Sequence, residues 1–136
     1  MPRGGTSKTD ILKRVPLFAE CSKRDLARIG MIADEIDLRE GRELIREGDL
    51  ARQFFVLLDG SADVRRKGRK INSLGRGDFF GEIGLVTDRE TTASVTTTSP
   101  VRVLVIARGA FRSLLREYPG VQLKVLSALA QRIPGD

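Results

Sequence analysis

The stretch GRGDFFGEIGL, residues 75–85, joins turn glycines to a short apolar segment that begins with one acid, Glu82. Glycines let a backbone approach a ligand closely, and free N–H groups at the start of a helical turn favour a negative charge. An ordinary strand-to-helix turn capped by a glutamate requires the same residues. The stretch therefore predicts such a turn, with Gly81 to Leu85 starting a short helix, and leaves open whether it binds an anion.

The residues around this turn have the pattern of a β protein. From Ile36 to Ala107, short runs of Val, Ile, Leu, Phe and Thr alternate with glycines. Phe54–Leu58 is a continuous apolar run closed by Asp59-Gly60, which is typical of a buried strand that ends in a tight turn. Val101–Ala107 has the same character. This rhythm predicts a sandwich or a roll.

Helical patterns precede and follow the strands. Ser22 is a predicted N-cap with Asp25 in the first turn, and apolar residues after Arg108 recur at helical spacing until Pro119-Gly120 interrupts them. An apolar stripe then resumes until Pro134. Residues 1–9 offer almost nothing to bury, so we expect a disordered leader or linker there and a domain over residues 10–136.

Composition excludes most enzyme classes. The 136 residues include no histidine and one cysteine, Cys21, so neither a Cys–His nucleophile pair nor the usual zinc ligand set is available. We expect no catalysis and no metal. Lys and Arg outnumber Asp and Glu by 24 to 18, a net charge of +6 that suits an anionic ligand, nucleic acid or an acidic surface. No membrane span or signal peptide is visible, which predicts a cytoplasmic protein.

Several ordered motifs resemble one family, the cyclic-nucleotide-binding domains of catabolite activator proteins, kinase regulatory subunits and cyclic-nucleotide-gated channels. The matching segments are Leu12–Phe18, Leu44–Asp49, Phe54–Gly60, Gly77–Glu82 and the helical positions Phe111, Leu115, Pro119 and Leu129. The resemblance implies an eight-stranded antiparallel β-roll, a jelly roll of cupin-like shape, with flanking N- and C-terminal helices. The last helices are similar to the family's hinge helix and to a truncated lid helix.

The resemblance also implies a ligand, cAMP or cGMP, and a binding site in the family's phosphate-binding cassette. Glu82 then bonds the ribose 2′-hydroxyl, and backbone N–H groups near Ile83 and Gly84 hold the cyclic phosphate. The predicted ligand-binding residues are Phe80, Gly81, Glu82, Ile83, Gly84, Leu85, Arg89, Thr91, Thr92 and Ala93. Apolar contacts to the base and ribose fall to roll residues such as Ile71, Ile83 and Val95, for which plain core packing is the competing role.

One position departs from the family pattern. The family has an arginine about nine residues after the cassette glutamate, and this chain has Thr91. A hydrogen bond to a charged group is worth about 1.5–3 kcal/mol, so its loss predicts roughly 10- to 150-fold weaker binding. Arg89 is either a substitute cation or a solvated loop residue. A hydroxyl at Thr92 can contact phosphate or a guanine edge, which favours cGMP weakly.

Two functions remain open. In the first, the chain is a regulatory sensor that binds a cyclic nucleotide and signals by moving its C-terminal helices. Its output domain then lies elsewhere in a longer polypeptide or in a partner protein, because the chain has no helix-turn-helix. In the second, the domain keeps the fold as a scaffold or interaction module whose pocket has lost affinity for nucleotides.

Overall fold

The computed structural model describes residues 7–132. They form two compact units, each described by itself below. The β unit comprises Ala33–Gly109, and the helical unit combines the described residues before and after it, 7–32 and 110–132.

The β unit contains eight strands, and every strand pair in it is antiparallel. The strands form two four-stranded sheets, in the orders β1-β8-β3-β6 and β2-β7-β4-β5. The bounds are β1 Ala33–Leu38, β2 Glu43–Ile45, β3 Gln53–Asp59, β4 Ala62–Arg66, β5 Arg69–Leu74, β6 Phe79–Phe80, β7 Ser94–Thr97 and β8 Val101–Ala107. The predicted eight-stranded antiparallel roll is confirmed.

Strands β3 and β8 are the most buried strands, and they occupy the centre of their sheet, each with a neighbour on both sides. The register pairs Phe55 of β3 with Val105 of β8 and with Phe80 of β6. The rings of Phe55 and Phe80 stack with centroids 5.1 Å apart. Both continuous apolar runs of the sequence are therefore central strands, as predicted. One cluster of buried residues in this unit comprises Phe55, Leu57, Ala62, Val95, Val101, Val103 and Val105.

The β4–β5 hairpin carries a dense positive charge. Its turn residues Lys67 and Gly68 both have positive φ, 51° and 79°, which is the backbone that a tight two-residue hairpin turn requires. All five cations of the hairpin are exposed to solvent: Arg65, Arg66, Lys67, Arg69 and Lys70.

The helical unit is built from short helices on both sides of the β unit in sequence. They are α1 Lys8–Lys13, a 3-10 helix Pro16–Phe18, α2 Lys23–Met31, α3 Arg108–Glu117, which starts within the last two residues of the β unit, and α4 Pro119–Arg132. Phe18 and Phe111 are fully buried with ring centroids 5.7 Å apart. The predicted break at Pro119 is confirmed, because proline occupies the first turn of α4, where its missing N–H costs no helical hydrogen bond.

Asp25 fixes the start of α2. Ser22 and Asp25 form a reciprocal capping box, as the predicted N-cap requires, and Lys124 Nζ of α4 lies 2.6 Å from Asp25 Oδ2. Burial disfavours the charged carboxylate, but the hydrogen bonds from Lys124 and Ser22 outweigh it and hold the pKa of Asp25 below its ordinary value. The carboxylate therefore ties α2 to α4.

Two elements begin earlier than their sequence patterns indicate. Helix α1 begins at Lys8, within the predicted leader, and Ser7 caps it with Asp10. The first strand begins at Ala33, three residues before the predicted start of the β pattern, because its pairing with β8 extends to Ala33 opposite Ile106. The rest of the predicted leader, residues 1–6, lies outside the described residues. Within residues 7–132 no helix is long and apolar enough to cross a membrane.

Candidate functional site

The predicted turn lies between β6 and β7. Gly81 has φ 83°, a left-handed conformation that favours glycine, and the 3-10 helix Glu82–Leu85 follows it. The Gly84 N–H donates to the Gly81 carbonyl oxygen at 3.1 Å, which closes the turn. The short helix predicted from Gly81 to Leu85 is confirmed. We call residues 81–93 the cassette.

Glu82 is buried at the first position of this turn, with 6% of its surface exposed. Leu85, three residues on, is fully buried and anchors the turn to the roll. Ile83 points the other way and is 42% exposed. The cassette thus keeps the Glu82 carboxylate away from bulk water. Hydrogen bonds to a buried carboxylate are stronger than those to an exposed one.

The cassette packs closely on the start of β3. A methyl group added at Gly84 would lie 2.2 Å from Ala51 Cβ, and one added at Gly81 would lie 2.7 Å from the Gln53 carbonyl oxygen. Neither distance accommodates a side chain. The glycines at 81 and 84 are therefore required by the approach of the cassette to residues 51–53.

Thr91 joins the cassette to the segment that connects β2 and β3. Its hydroxyl donates to the Arg46 carbonyl oxygen at 2.5 Å. Its N–H donates to the Asp49 carbonyl oxygen at 2.8 Å, and its own carbonyl accepts from the Gly48 N–H at 2.9 Å. The residue at the family's arginine position thus has a structural role as a cross-link. We call residues 44–53 the β2–β3 wall.

Arg108 forms a second cross-link. Its guanidinium donates to the Thr87 carbonyl oxygen at 2.6 Å and to the Ala51 carbonyl oxygen at 3.3 Å, and it pairs with Asp88. Its N–H also donates to the Arg52 carbonyl oxygen at 2.9 Å. The first residue of α3 therefore holds the cassette and the β2–β3 wall together.

A cavity of about 420 Å³ opens between these elements. That volume falls in the range of roughly 300–1,000 Å³ typical of small-molecule sites. Thr91 is the predicted site residue that lines it. Its lining residues are Leu44, Ile45, Arg46, Asp49, Leu50, Ala51, Arg52, Gln53, Phe55 and Thr91.

The other predicted site residues lie around the cassette with different exposures. Phe80 is half-buried against Phe55, Thr92 and Arg89 are exposed, and Ala93 is half-buried. Arg66 Nε of the β4–β5 hairpin donates to the Thr92 carbonyl oxygen at 3.1 Å, so the cationic hairpin meets the end of the cassette.

Sequence reasoning missed three residues of this site: Arg52, Asp49 and Arg108. Arg52 and Asp49 precede β3 in a segment that the sequence marks only as a glycine turn, and Arg108 is indistinguishable in the sequence from any residue that starts a helix. Arg52 and Arg108 belong to no motif or periodic pattern that would have indicated their place in the site. No group of three metal-ligating side chains occurs in the part of the chain that the structure describes.

The two antiparallel sheets define a β-roll, and comparison with known proteins gives the family. The model of the cyclic nucleotide-binding domain matches residues 35–118. The chain belongs to this family.

Relatives and solved structures agree with that assignment. The chain is 33% identical over 107 residues to a cAMP-dependent protein kinase regulatory subunit of Eremothecium gossypii, covering 78% of this chain and 23% of the relative. The N-terminal domain of a transcriptional regulator from Streptomyces coelicolor A3(2) superposes with a TM-score of 0.82 at 29% identity, covering 91% of this chain and 92% of that one. The regulatory domain of Toxoplasma gondii PKA, crystallised with cAMP, gives 0.73 at 25% identity, covering 81% and 44%.

The chain spans about a quarter of the length of the curated relatives it matches. Those relatives are regulatory subunits of cAMP-dependent protein kinase, and the chain matches one part of each.

Proposed function

We propose that this domain is a sensor that binds a cyclic nucleotide monophosphate, cAMP or cGMP, where the cassette borders the cavity. The observation that carries the proposal is the burial of Glu82 at the first position of the cassette turn, the position at which the family resemblance implies the contact to the ribose 2′-hydroxyl. A buried carboxylate gains more from a hydroxyl partner than an exposed one does.

The phosphate would meet the backbone of the turn near Ile83 and Gly84. The Gly84 N–H already donates to the Gly81 carbonyl oxygen at 3.1 Å. A phosphate oxygen that takes this N–H competes with that carbonyl, so binding would rearrange the cassette. In this proposal recognition and conformational change are one event.

The signal would leave the cassette through Arg108. Its guanidinium holds the Thr87 carbonyl oxygen and pairs with Asp88, and Arg108 is the first residue of α3. A shift of these cassette residues therefore acts on the residue from which the C-terminal helices start. The output, in another domain of a longer polypeptide or in a partner protein, and the cytoplasmic location stay predictions.

The alternative is a scaffold whose pocket does not bind nucleotides. One observation favours it: the Thr91 hydroxyl, at the position of the family's arginine, is used to bond the Arg46 carbonyl oxygen.

Calorimetric titration with cAMP, cGMP and their 2′-deoxy forms separates the two functions. We expect the wild type to bind at least one ribonucleotide and to bind its deoxy form roughly tenfold or more weakly, because a bond to a charged group is lost. In Glu82→Ala the two forms should bind alike. Glu90→Ala, which removes an exposed cassette acid, is the control and should keep the preference. No binding of either nucleotide at millimolar concentration would favour the scaffold.

A further inference from the structure

We propose that Arg52, on the β2–β3 wall, supplies the cation that meets the cyclic phosphate. The inference rests on the proposed function and names the charged group for that same site. Arg52 would thereby do the work of the cassette arginine that Thr91 replaces.

Arg52 and Thr91 line the same cavity. A guanidinium-bearing side chain and the position where the family carries its arginine therefore border one cavity. Arg89, the other candidate cation, is exposed like Arg52 but is not among the lining residues.

The backbone fixes Arg52 beside the cassette. Its neighbours Ala51 and Gln53 contact the two cassette glycines, at 2.2 and 2.7 Å from the methyl positions of Gly84 and Gly81. The carbonyl oxygen of Arg52 accepts the Arg108 N–H at 2.9 Å. The Arg52 side chain therefore starts from a backbone that lies directly beside the cassette turn.

The charge of Arg52 is available. Within residues 7–132 the structure shows no ion pair from Arg52 to an acid. The other arginine of the cavity, Arg46, already has an acidic partner, because Glu43 Oε1 lies 2.9 Å from its Nε. The hydrogen bond to Glu43 and the negative charges of Glu43 and Asp49 raise the pKa of Arg46 above its ordinary value.

An arginine suits the task because its planar guanidinium presents paired N–H groups that match two phosphate oxygens. Arg52 would thus offset part of the affinity loss that Thr91 predicts. If Arg52 already binds the phosphate, a second arginine at position 91 adds little to the affinity for the cyclic nucleotide.

A double-mutant cycle measured by calorimetry with the same ribonucleotide tests this. We expect Arg52→Gln to weaken binding roughly tenfold or more and Arg52→Lys, which keeps the charge and loses the fork, to weaken it less. Thr91→Arg should tighten binding roughly tenfold or more in the Arg52→Gln background and less than about threefold in the wild type, because one cation then already serves the phosphate. Arg69→Gln removes an equal charge from the β4–β5 hairpin and should change affinity less than about threefold.

Two results would overturn the inference: an Arg52→Gln affinity within about threefold of the wild type, or an equal gain from Thr91→Arg in both backgrounds. If the wild type binds, and 2′-deoxy discrimination depends on Glu82 while Arg52→Gln has no effect, the inference fails and the proposed function stands. If the wild type binds no cyclic nucleotide, both fail. Thermal unfolding of each variant verifies the fold, and should Arg52→Gln not fold, Arg52→Lys and its combination with Thr91→Arg decide.

Discussion

The cassette and the β2–β3 wall enclose the same cavity but differ in how they are encoded. The cassette is marked in the sequence by its glycines and by Glu82, and its backbone follows the predicted turn. The β2–β3 wall has no such marks, yet it contributes nearly all of the cavity lining. The sequence motif therefore specifies the cassette side of the site, and the tertiary structure specifies the side formed by the β2–β3 wall.

The difference shows where a substitution can be compensated. The cassette has lost the family's arginine at Thr91, and the adjoining wall carries a cation, Arg52, at the same cavity. Whether the two sides act as one unit depends on the contacts that join them, which are made by Arg108, Gly84 and Thr91. Removing each contact in turn measures how much it contributes to holding the cassette against the β2–β3 wall.

Arg108→Gln should have the largest effect. It removes a mostly buried guanidinium that bonds Ala51 on the wall and Thr87 in the cassette, and we expect the free energy of unfolding to fall by about 3 kcal/mol. Arg102→Gln is the control, since Arg102 pairs with Asp37 at the surface and should cost about 0–1 kcal/mol. Urea denaturation measures both. Equal losses in the free energy of unfolding would mean that the bonds of Arg108 stabilise the fold no more than a surface ion pair does.

Gly84→Ala should follow, with a loss of about 2 kcal/mol, because its methyl group would overlap Ala51 and push the cassette from the wall. Gly75→Ala introduces the same methyl group where no atom lies within 4 Å and should be neutral or slightly stabilising. Thermal denaturation compares the pair. A neutral Gly84→Ala would show that the two sides separate without cost.

Thr91→Val should have the smallest effect. It keeps the shape of the side chain and removes the hydroxyl bond to the Arg46 carbonyl oxygen, a loss of about 1 kcal/mol. Thr96→Val, in a half-buried position of β7, controls for the change of side chain and should stay within about 0.5 kcal/mol. The measurement is again urea denaturation. An identical change in the free energy of unfolding for the two variants would show that Thr91 does not help to hold the cassette against the β2–β3 wall.

Local patterns predicted the elements of the fold well because local physics sets them. The apolar run Phe54–Leu58 became a central strand, and Ser22 with Asp25 became a capping box. Ser7 and Asp10 have the same spacing and also form a capping box, but the polar residues around them gave no sign of a helix that begins at Lys8.

The site was predictable only as far as the cassette. Arg108 acts through partners that are distant in sequence, 57 positions for its bond to Ala51, and Arg52 reaches the cavity lining through the same arrangement of strands. No periodicity or motif encodes a pairing of that kind, since it depends on how the strands are arranged. The ligand-binding roles of the cassette residues remain predictions.

The β4–β5 hairpin has a consequence for the rate at which a ligand arrives. Arg66 of the hairpin donates to the Thr92 carbonyl oxygen, so the positive charge of the hairpin lies beside the end of the cassette. At physiological salt such a field reaches about 8 Å, and at lower salt it reaches further. An anion would therefore be captured faster as ionic strength falls, while its rate of escape depends on the contacts inside the cavity. The hairpin would act on the speed of the response and leave its selectivity to the two sides of the cavity.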